Sequence, residues 1–243
     1  MTAAGFPVPP GFVLTTDAYR AFVQTHGLQQ PIVDLARTVA ADDPQSSEAA
    51  SAQIRQLFMG AAMPNQLADE LLETWAGLGE AAVAVRSSAT AEDLLDASFA
   101  GQQETFLNIQ SNDMLLDAVK RCWASLWTAR AITYRIKQGI APDEVSLAVV
   151  VQKQIASDVS GVAFSLNPNN NDYDEAVINS NFGLGESIVS GQVTPDNFVV
   201  NKVTSEVVEK QLANKDYVLV SKACKLQLRN QHNSSVKISS QPQ

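Results

Sequence analysis

Arg86 emerges from the apolar run Ala81–Ala82–Val83–Ala84–Val85 and is followed by Ser87, Ser88, Ala89 and Thr90. A guanidinium beside several hydroxyls suits a polyphosphate, because the planar fork grips phosphate oxygens in pairs and the hydroxyls donate further hydrogen bonds. Downstream, Ser98–Phe99–Ala100–Gly101–Gln102 forms a small glycine-bearing loop. Its backbone N–H groups can face an anion. The loop feeds a second strand-like run through Thr105, Phe106 and Leu107. A structural reading stands beside this one. A cation ending a buried strand needs an anionic partner, since an unpaired buried charge is costly. Glu92 or Asp93 could fill that role as well as a phosphate, and Ser87, Ser88 and Thr90 could cap and turn instead. The spacing matches neither GxxxxGK[ST] nor GxGxxG.

Further residues carry chemistry with less context. Gln152 interrupts the apolar run Val145–Ser146–Leu147–Ala148–Val149–Val150–Val151 and is followed by Lys153 and Gln154. Asn181–Phe182–Gly183–Leu184–Gly185–Glu186 is a glycine turn ending in a carboxylate. Glu186 can cap the turn or face a cleft. Arg121, Arg130 and Arg135 sit on a helical pattern and can reach phosphates, pair with carboxylates or face solvent. The histidines, His26 and His232, lack catalytic partners nearby in sequence and read as surface residues. Cys122 and Cys224 have neither a CxxC spacing nor a Cys/His metal spacing. They fit a reducing, cytoplasmic location, and Cys122 reads as a core thiol.

Long helices and several successive strands must position these groups. Thr16 or Asp17 can cap a first helix ending near Gly27. Pro31 to Glu80 is mostly helical, with Ile32, Leu35 and Val39, then Ile54, Leu57 and Phe58, then Leu67, Leu71, Leu72 and Trp75 on successive apolar faces. Asn112 to Gly139 reads as one long amphipathic helix, with Trp123, Trp127 and Tyr134 as packing aromatics. Strands are expected around Val83, Thr105, Val145, Ser160, Glu175, Phe198 and Val207. The fold class is therefore α+β with a mainly antiparallel sheet and flanking helices. The expected organisation is a mostly helical N-terminal lobe over 1–80, a nucleotide-binding lobe over 81–220, and a polar, disordered tail over 221–243.

Composition removes several function classes. The formal net charge is −9 and no basic stripe occurs, which argues against a nucleic-acid partner. No stretch has the apolar length of a membrane span, and Met1–Thr2–Ala3–Ala4–Gly5–Phe6 does not read as a signal peptide.

The stretch RSSATAEDLLDASFAGQQETFLNI resembles the nucleotide-binding domain of the phosphoenolpyruvate-utilising dikinases, which include phosphoenolpyruvate synthase, pyruvate phosphate dikinase and rifamycin phosphotransferase. The resemblance extends over GFPVPPGFVLTTDAYRAF, CWASLWTARAITYRIKQGI, SLAVVVQKQI, SGVAFSLNP and FGLGESIVSGQVTPDNFVV, from about Gly5 to Val200. It implies an ATP-grasp-like fold in which two α+β lobes clamp ATP. It further implies that Arg86 contacts ATP phosphates, that Gly101 and Thr105 belong to the phosphate-covering loop and its strand, and that Gln152 lines the base pocket across the cleft. An amide in an apolar run suits a base edge, with Val150 and Val151 as walls; a water-facing edge-strand position is the alternative for Gln152.

The resemblance also implies Mg²⁺, a separate phosphohistidine domain and an acceptor domain, pyruvate or a drug hydroxyl being the acceptor. No Mg²⁺ ligands and no catalytic residue are identified in this sequence, and Glu206 and Glu209 are assigned to a hairpin. The family's glycine-rich segment with its lysine, its acidic metal motif and its Gln-Ser-Arg-Pro-like segment have no equivalent in this sequence, so the expectation is an ATP-binding portion truncated at both ends. The competing expectation is a non-catalytic remnant or interaction module that retains the fold.

Overall fold

The computed structural model describes residues 2–89, 104–215, 217–222, 225–230 and 236–237. The chain divides into two compact units, Met1–Gln154 and Ile155–Gln243.

In the first unit β1 (Gly11–Leu14), β2 (Val83–Ala89), β3 (Thr105–Ile109) and β4 (Leu147–Lys153) form an antiparallel sheet in the order β1-β4-β2-β3. Strand alternation gives this sheet two different faces. Val83, Val85 and Ser87 of β2, with Leu147, Val149 and Val151 of β4, are buried. Arg86 and Ser88, with Ala148, Val150 and Gln152, alternate onto the other face.

The buried face is covered by helices. They are α1 (Thr16–Thr25), α2 (Gln29–Arg37), α3 (Pro44–Gly60), α4 (Asn65–Gly77), α5 (Asn112–Ser125) and α6 (Ala129–Gln138). Phe22, Ile54, Phe58, Leu115, Val119, Cys122 and Trp123 are wholly buried and share one core with Val83, Val85 and Val149. Phe22 and Phe58 stack with centroids 5.8 Å apart. The entry to α3 follows from its sequence: Pro44 occupies the first turn, and Asp43 accepts a hydrogen bond from the Gln45 N–H at 3.0 Å.

The long helix expected over Asn112 to Gly139 is two helices. Thr128 caps α6 by accepting from the Ala131 N–H at 3.3 Å, and Gly139, with φ 69°, closes it. Arg135, only 3% exposed, reaches back from α6, donates to the Leu126 carbonyl at the end of α5 and lies 4.6 Å from the Trp127 ring. Trp127 in turn donates to the Tyr19 hydroxyl at 3.0 Å. Desolvation lowers Arg135 to about 10 and pushes Tyr19 up to about 12. Arg135 is thus a corner brace rather than a phosphate ligand. The first helix also differs in detail: Thr15 is its N-cap, and no side chain caps it.

The division drawn from sequence at 80/81 falls inside this first unit. β1, from the N-terminal stretch, pairs with β4, and α1 to α4 join the same core as α5.

The second unit contains β5 (Val159–Phe164), β6 (Glu175–Phe182), α7 (Glu186–Val189), β7 (Asp196–Asn201) and β8 (Glu206–Gln211). The strands form an antiparallel sheet in the order β5-β6-β7-β8. β9 (Tyr217–Lys222), β10 (Lys225–Asn230) and β11 (Val236–Lys237) form a second sheet in the order β11-β10-β9. Residues 221–222, 225–230 and 236–237 were expected in a polar, disordered tail. Their backbones instead pair as strands, because alternating residues such as those of Lys225–Asn230 suit a hairpin even where polar side chains dominate. The buried side chains of this unit include Val177, Leu184, Val199 and Leu219. Among the described residues no helix is long and apolar enough to cross a membrane.

Candidate functional site

Register brings the sequence-selected residues together on one sheet face. Arg86 of β2 is opposite Val150 of β4 on one side and Thr105 of β3 on the other. Val13 of β1 is opposite Val150. Directly opposed residues project from the same side of a sheet. Val13, Val150, Arg86 and Thr105 therefore form a row across all four strands. The adjacent row contains Gly11, Gln152 and Ala84. Gln152 is diagonal to Arg86 on the neighbouring strand, a placement that separates Cβ atoms by about 7–8 Å. Arg86 and Gln152 thus belong to one continuous face of the first unit, not to opposite walls of a cleft.

Arg86 is exposed, which corrects the expectation of a cation ending a buried strand. The alternation that buries Val83 and Val85 turns Arg86 outward. Among the described residues it has no ion-pair partner. Glu92 and Asp93, the carboxylates weighed against a phosphate, lie outside the described residues, as do Thr90 and Gly101. Thr105 is half-buried beside Arg86 and offers a hydroxyl. Gln152 is also half-buried, and its Nε2 donates to the Pro9 carbonyl at 3.0 Å. That bond leaves the Gln152 carbonyl oxygen as an acceptor. Gly11 is required where the strands approach: a Cβ there would collide with the Val151 carbonyl oxygen.

Ser87 does not share this face. It is buried, its Oγ accepts from the Glu104 N–H at 3.1 Å, and its own N–H donates to the Glu104 carbonyl at 3.2 Å. This closed pair fixes the register at which Thr105 faces Arg86. The Glu104 carboxylate lies 4.0 Å from Arg55 of α3. Burial raises its pKa, while Arg55 and Arg121 pull it back. At the other end of β3, a register irregularity accompanies Asn108, which has φ 61° and donates its N–H to Gln154 Oε1 at 2.6 Å. Neither Glu104 nor Asn108 stood out in sequence, because each works through a contact distant along the chain.

The other sequence candidates have separate roles. Arg121 pairs with Asp117 one helical turn away at 2.6 Å. His26 shares a 2.7 Å hydrogen bond with the Ala62 carbonyl. Cys122 is buried, and burial pushes its thiol up. Glu186 opens α7, and Glu209 and Glu206 lie on β8 as the hairpin reading expected. Cys224 and His232 lie outside the residues whose side chains are described. Among the described residues no group of three or more His, Cys, Asp or Glu side chains is placed to hold a metal ion.

A family model described as pyruvate phosphate dikinase, AMP/ATP-binding domain, matches residues 1–241. Among curated relatives, a probable phosphoenolpyruvate synthase of Pyrococcus horikoshii is 42% identical over 258 residues, covering 90% of this chain and 31% of the relative. A probable phosphoenolpyruvate synthase of Methanocaldococcus jannaschii is 46% identical over 226 residues, covering 90% of this chain and 19% of the relative. The phosphoenolpyruvate synthase of Aeropyrum pernix is 46% identical over 226 residues, covering 90% and 28%. The chain thus spans a third or less of the length of these relatives.

Proposed function

The chain belongs to the family of the pyruvate phosphate dikinase AMP/ATP-binding domain, and from that membership we propose that it is the ATP-binding portion of a dikinase-type phosphotransferase. ATP lies against the open face of the first unit's sheet. Its phosphates meet the Arg86 guanidinium and the Thr105 hydroxyl, and its base lies beside Gln152. The fold that presents this face is ATP-grasp-like.

The observation that carries the reading is the Arg86–Thr105 pair: an exposed guanidinium, without an ion-pair partner among the described residues, directly opposite a hydroxyl. A net charge of −9 does not oppose it. At physiological salt, charges beyond about 8 Å are largely screened, so the phosphates respond mainly to the local cation.

The whole reaction extends past this chain. The phosphoryl group of ATP passes to a histidine on a separate domain, then to pyruvate or another enol or hydroxyl acceptor. Most of the length of the relatives named phosphoenolpyruvate synthase lies outside the aligned stretch and can supply those parts. What this chain's residues do is bind and orient: Arg86 counters phosphate charge, Thr105 donates a hydrogen bond, and the sheet fixes their spacing.

Isothermal titration of the chain with ATP and with adenosine, with and without Mg²⁺, tests the proposal. ATP is expected to bind more tightly than adenosine. Absence of ATP binding by the chain alone, together with no rescue by a companion polypeptide carrying the remaining domains of a relative, overturns it.

A further inference from the structure

The second unit contains a polar cavity that the nucleotide face does not use. It has a volume of about 150 Å³ and is lined by Asn181, Gln192, Val193, Thr194, Lys215 and Tyr217, among others. Asn181 is the penultimate residue of β6, Thr194 lies between α7 and β7, and Lys215 and Tyr217 lie at the entry to β9.

Lys215 does not give the cavity a free charge. Its Nζ lies 2.9 Å from Asp196, and it also points at the Ser180 and Thr194 carbonyls at 3.4 and 3.5 Å. Asp196 accepts a further bond from the Ala213 N–H at 2.8 Å. The ion pair closes on itself and makes one wall rigid and neutral overall. An anion would have to compete with Asp196 for the ammonium.

Asn181 is different. It is 2% exposed, and neither Nδ2 nor Oδ1 has a hydrogen-bond partner among the described residues. The Oγ of Ser160, its cross-strand neighbour, is also buried without one. Buried amides are nearly always satisfied, so a carboxamide orphaned at both ends calls for an explanation. Asn181 also lines the cavity, and a rotation of its side chain into that space would present a donor and an acceptor side by side. Thr194 adds a hydroxyl, and Tyr217 adds an aromatic ring.

We propose that this cavity binds a small, neutral, planar ligand carrying an adjacent hydrogen-bond donor and acceptor, read in bidentate fashion by Asn181. A nucleobase edge and a primary carboxamide share that chemistry, and Asn pairs with an adenine edge in this way. The inference does not rest on the phosphate-binding reading, because it uses no residue of the first unit and no charge.

The test is an NMR titration of the full chain with ¹⁵N-labelled asparagine side chains, using adenosine and nicotinamide as separate probes. The Asn181 amide signal is identified by its loss in Asn181→Leu, and melting of that variant checks its fold. The Asn181 signal is expected to shift saturably with at least one probe, with affinity lost in Asn181→Leu and weakened in Thr194→Val. A response to adenosine alone identifies a base edge as the ligand; a response to nicotinamide alone identifies a carboxamide. No shift with either probe leaves a water-filled cavity and overturns the proposal. So does binding that persists unchanged in both variants. Because adenosine carries no phosphate, failure of ATP binding at Arg86 does not decide this result.

Discussion

Replacing Arg86 by alanine isolates the chemistry assigned to the nucleotide face. The guanidinium is exposed and makes no ion pair among the described residues, so its removal should disturb the fold little. Surface changes of this kind stay within about 0.5 kcal/mol. Binding should respond far more. A hydrogen bond to a charged group contributes about 1.5–3 kcal/mol. At about 1.4 kcal/mol per tenfold, the expected loss of ATP affinity is about 10- to 150-fold. Screening at an open face favours the lower end for one contact, while a two-pronged grip favours the upper end. Lysine should recover only part of the loss, since it supplies a point charge without the planar fork.

Titration calorimetry with ATP, ADP, AMP and adenosine, alongside thermal melts, provides the measurement. The loss should grow with phosphate number and vanish for adenosine. ATP affinity within about twofold of the parent, in a variant that melts normally, would refute the reasoning. Equal losses for ATP and adenosine would also refute it, because Arg86 would then be supporting the base or the sheet rather than phosphate.

Glu104→Gln should melt higher than the parent at alkaline pH and alike in acid below the usual glutamate value of about 4.3. Burial raises the folded carboxyl, so its ionisation opposes folding as pH rises through the raised value; an opposite pH trend in the melts would show that the Arg55 contact dominates. Asp196 has the reverse sign. Burial would raise it, but the Ala213 N–H, Lys215 and Lys210 together hold it below the ordinary carboxylate value. Its contribution is present above the unfolded value of about 3.9 and is lost as pH falls through the lower folded value. Lys215→Met should therefore cost about 1–3 kcal/mol near neutrality and shift the acid-unfolding limb upward, as followed by circular dichroism. Cys122, with its thiol pushed up by burial, should resist a thiol reagent at pH 8 in the folded chain and react once denaturant opens the core. Rapid labelling of its peptide in the folded state would contradict that.

The residue types in Arg86, Thr105 and Gln152, and the apolar alternation around them, were enough to place them on strands and to suggest phosphate chemistry. The helical faces of Ile54, Phe58 and Trp75 were equally legible, because burial imposes the 3.6-residue period on local sequence. The division of the helix at Thr128 was harder. Its apolar stripe continues across the corner, and the groups that stabilise the break, Arg135 on the Leu126 carbonyl and Trp127 on Tyr19, are tertiary contacts.

By itself the sequence determined the α+β class, the strand that delivers Arg86 and the family to which the chain belongs, since these depend on local period and on motif order. Only the tertiary structure decided which way Arg86 points and which hydroxyl stands beside it. A strand's alternation fixes two faces, but the partner strands and the covering helices determine which face is buried. The same holds for the Asp196–Lys215 pair and for the orphaned amide of Asn181. Their partners and vacant bonds arise from strands that meet only after folding, and no spacing along the chain encodes them.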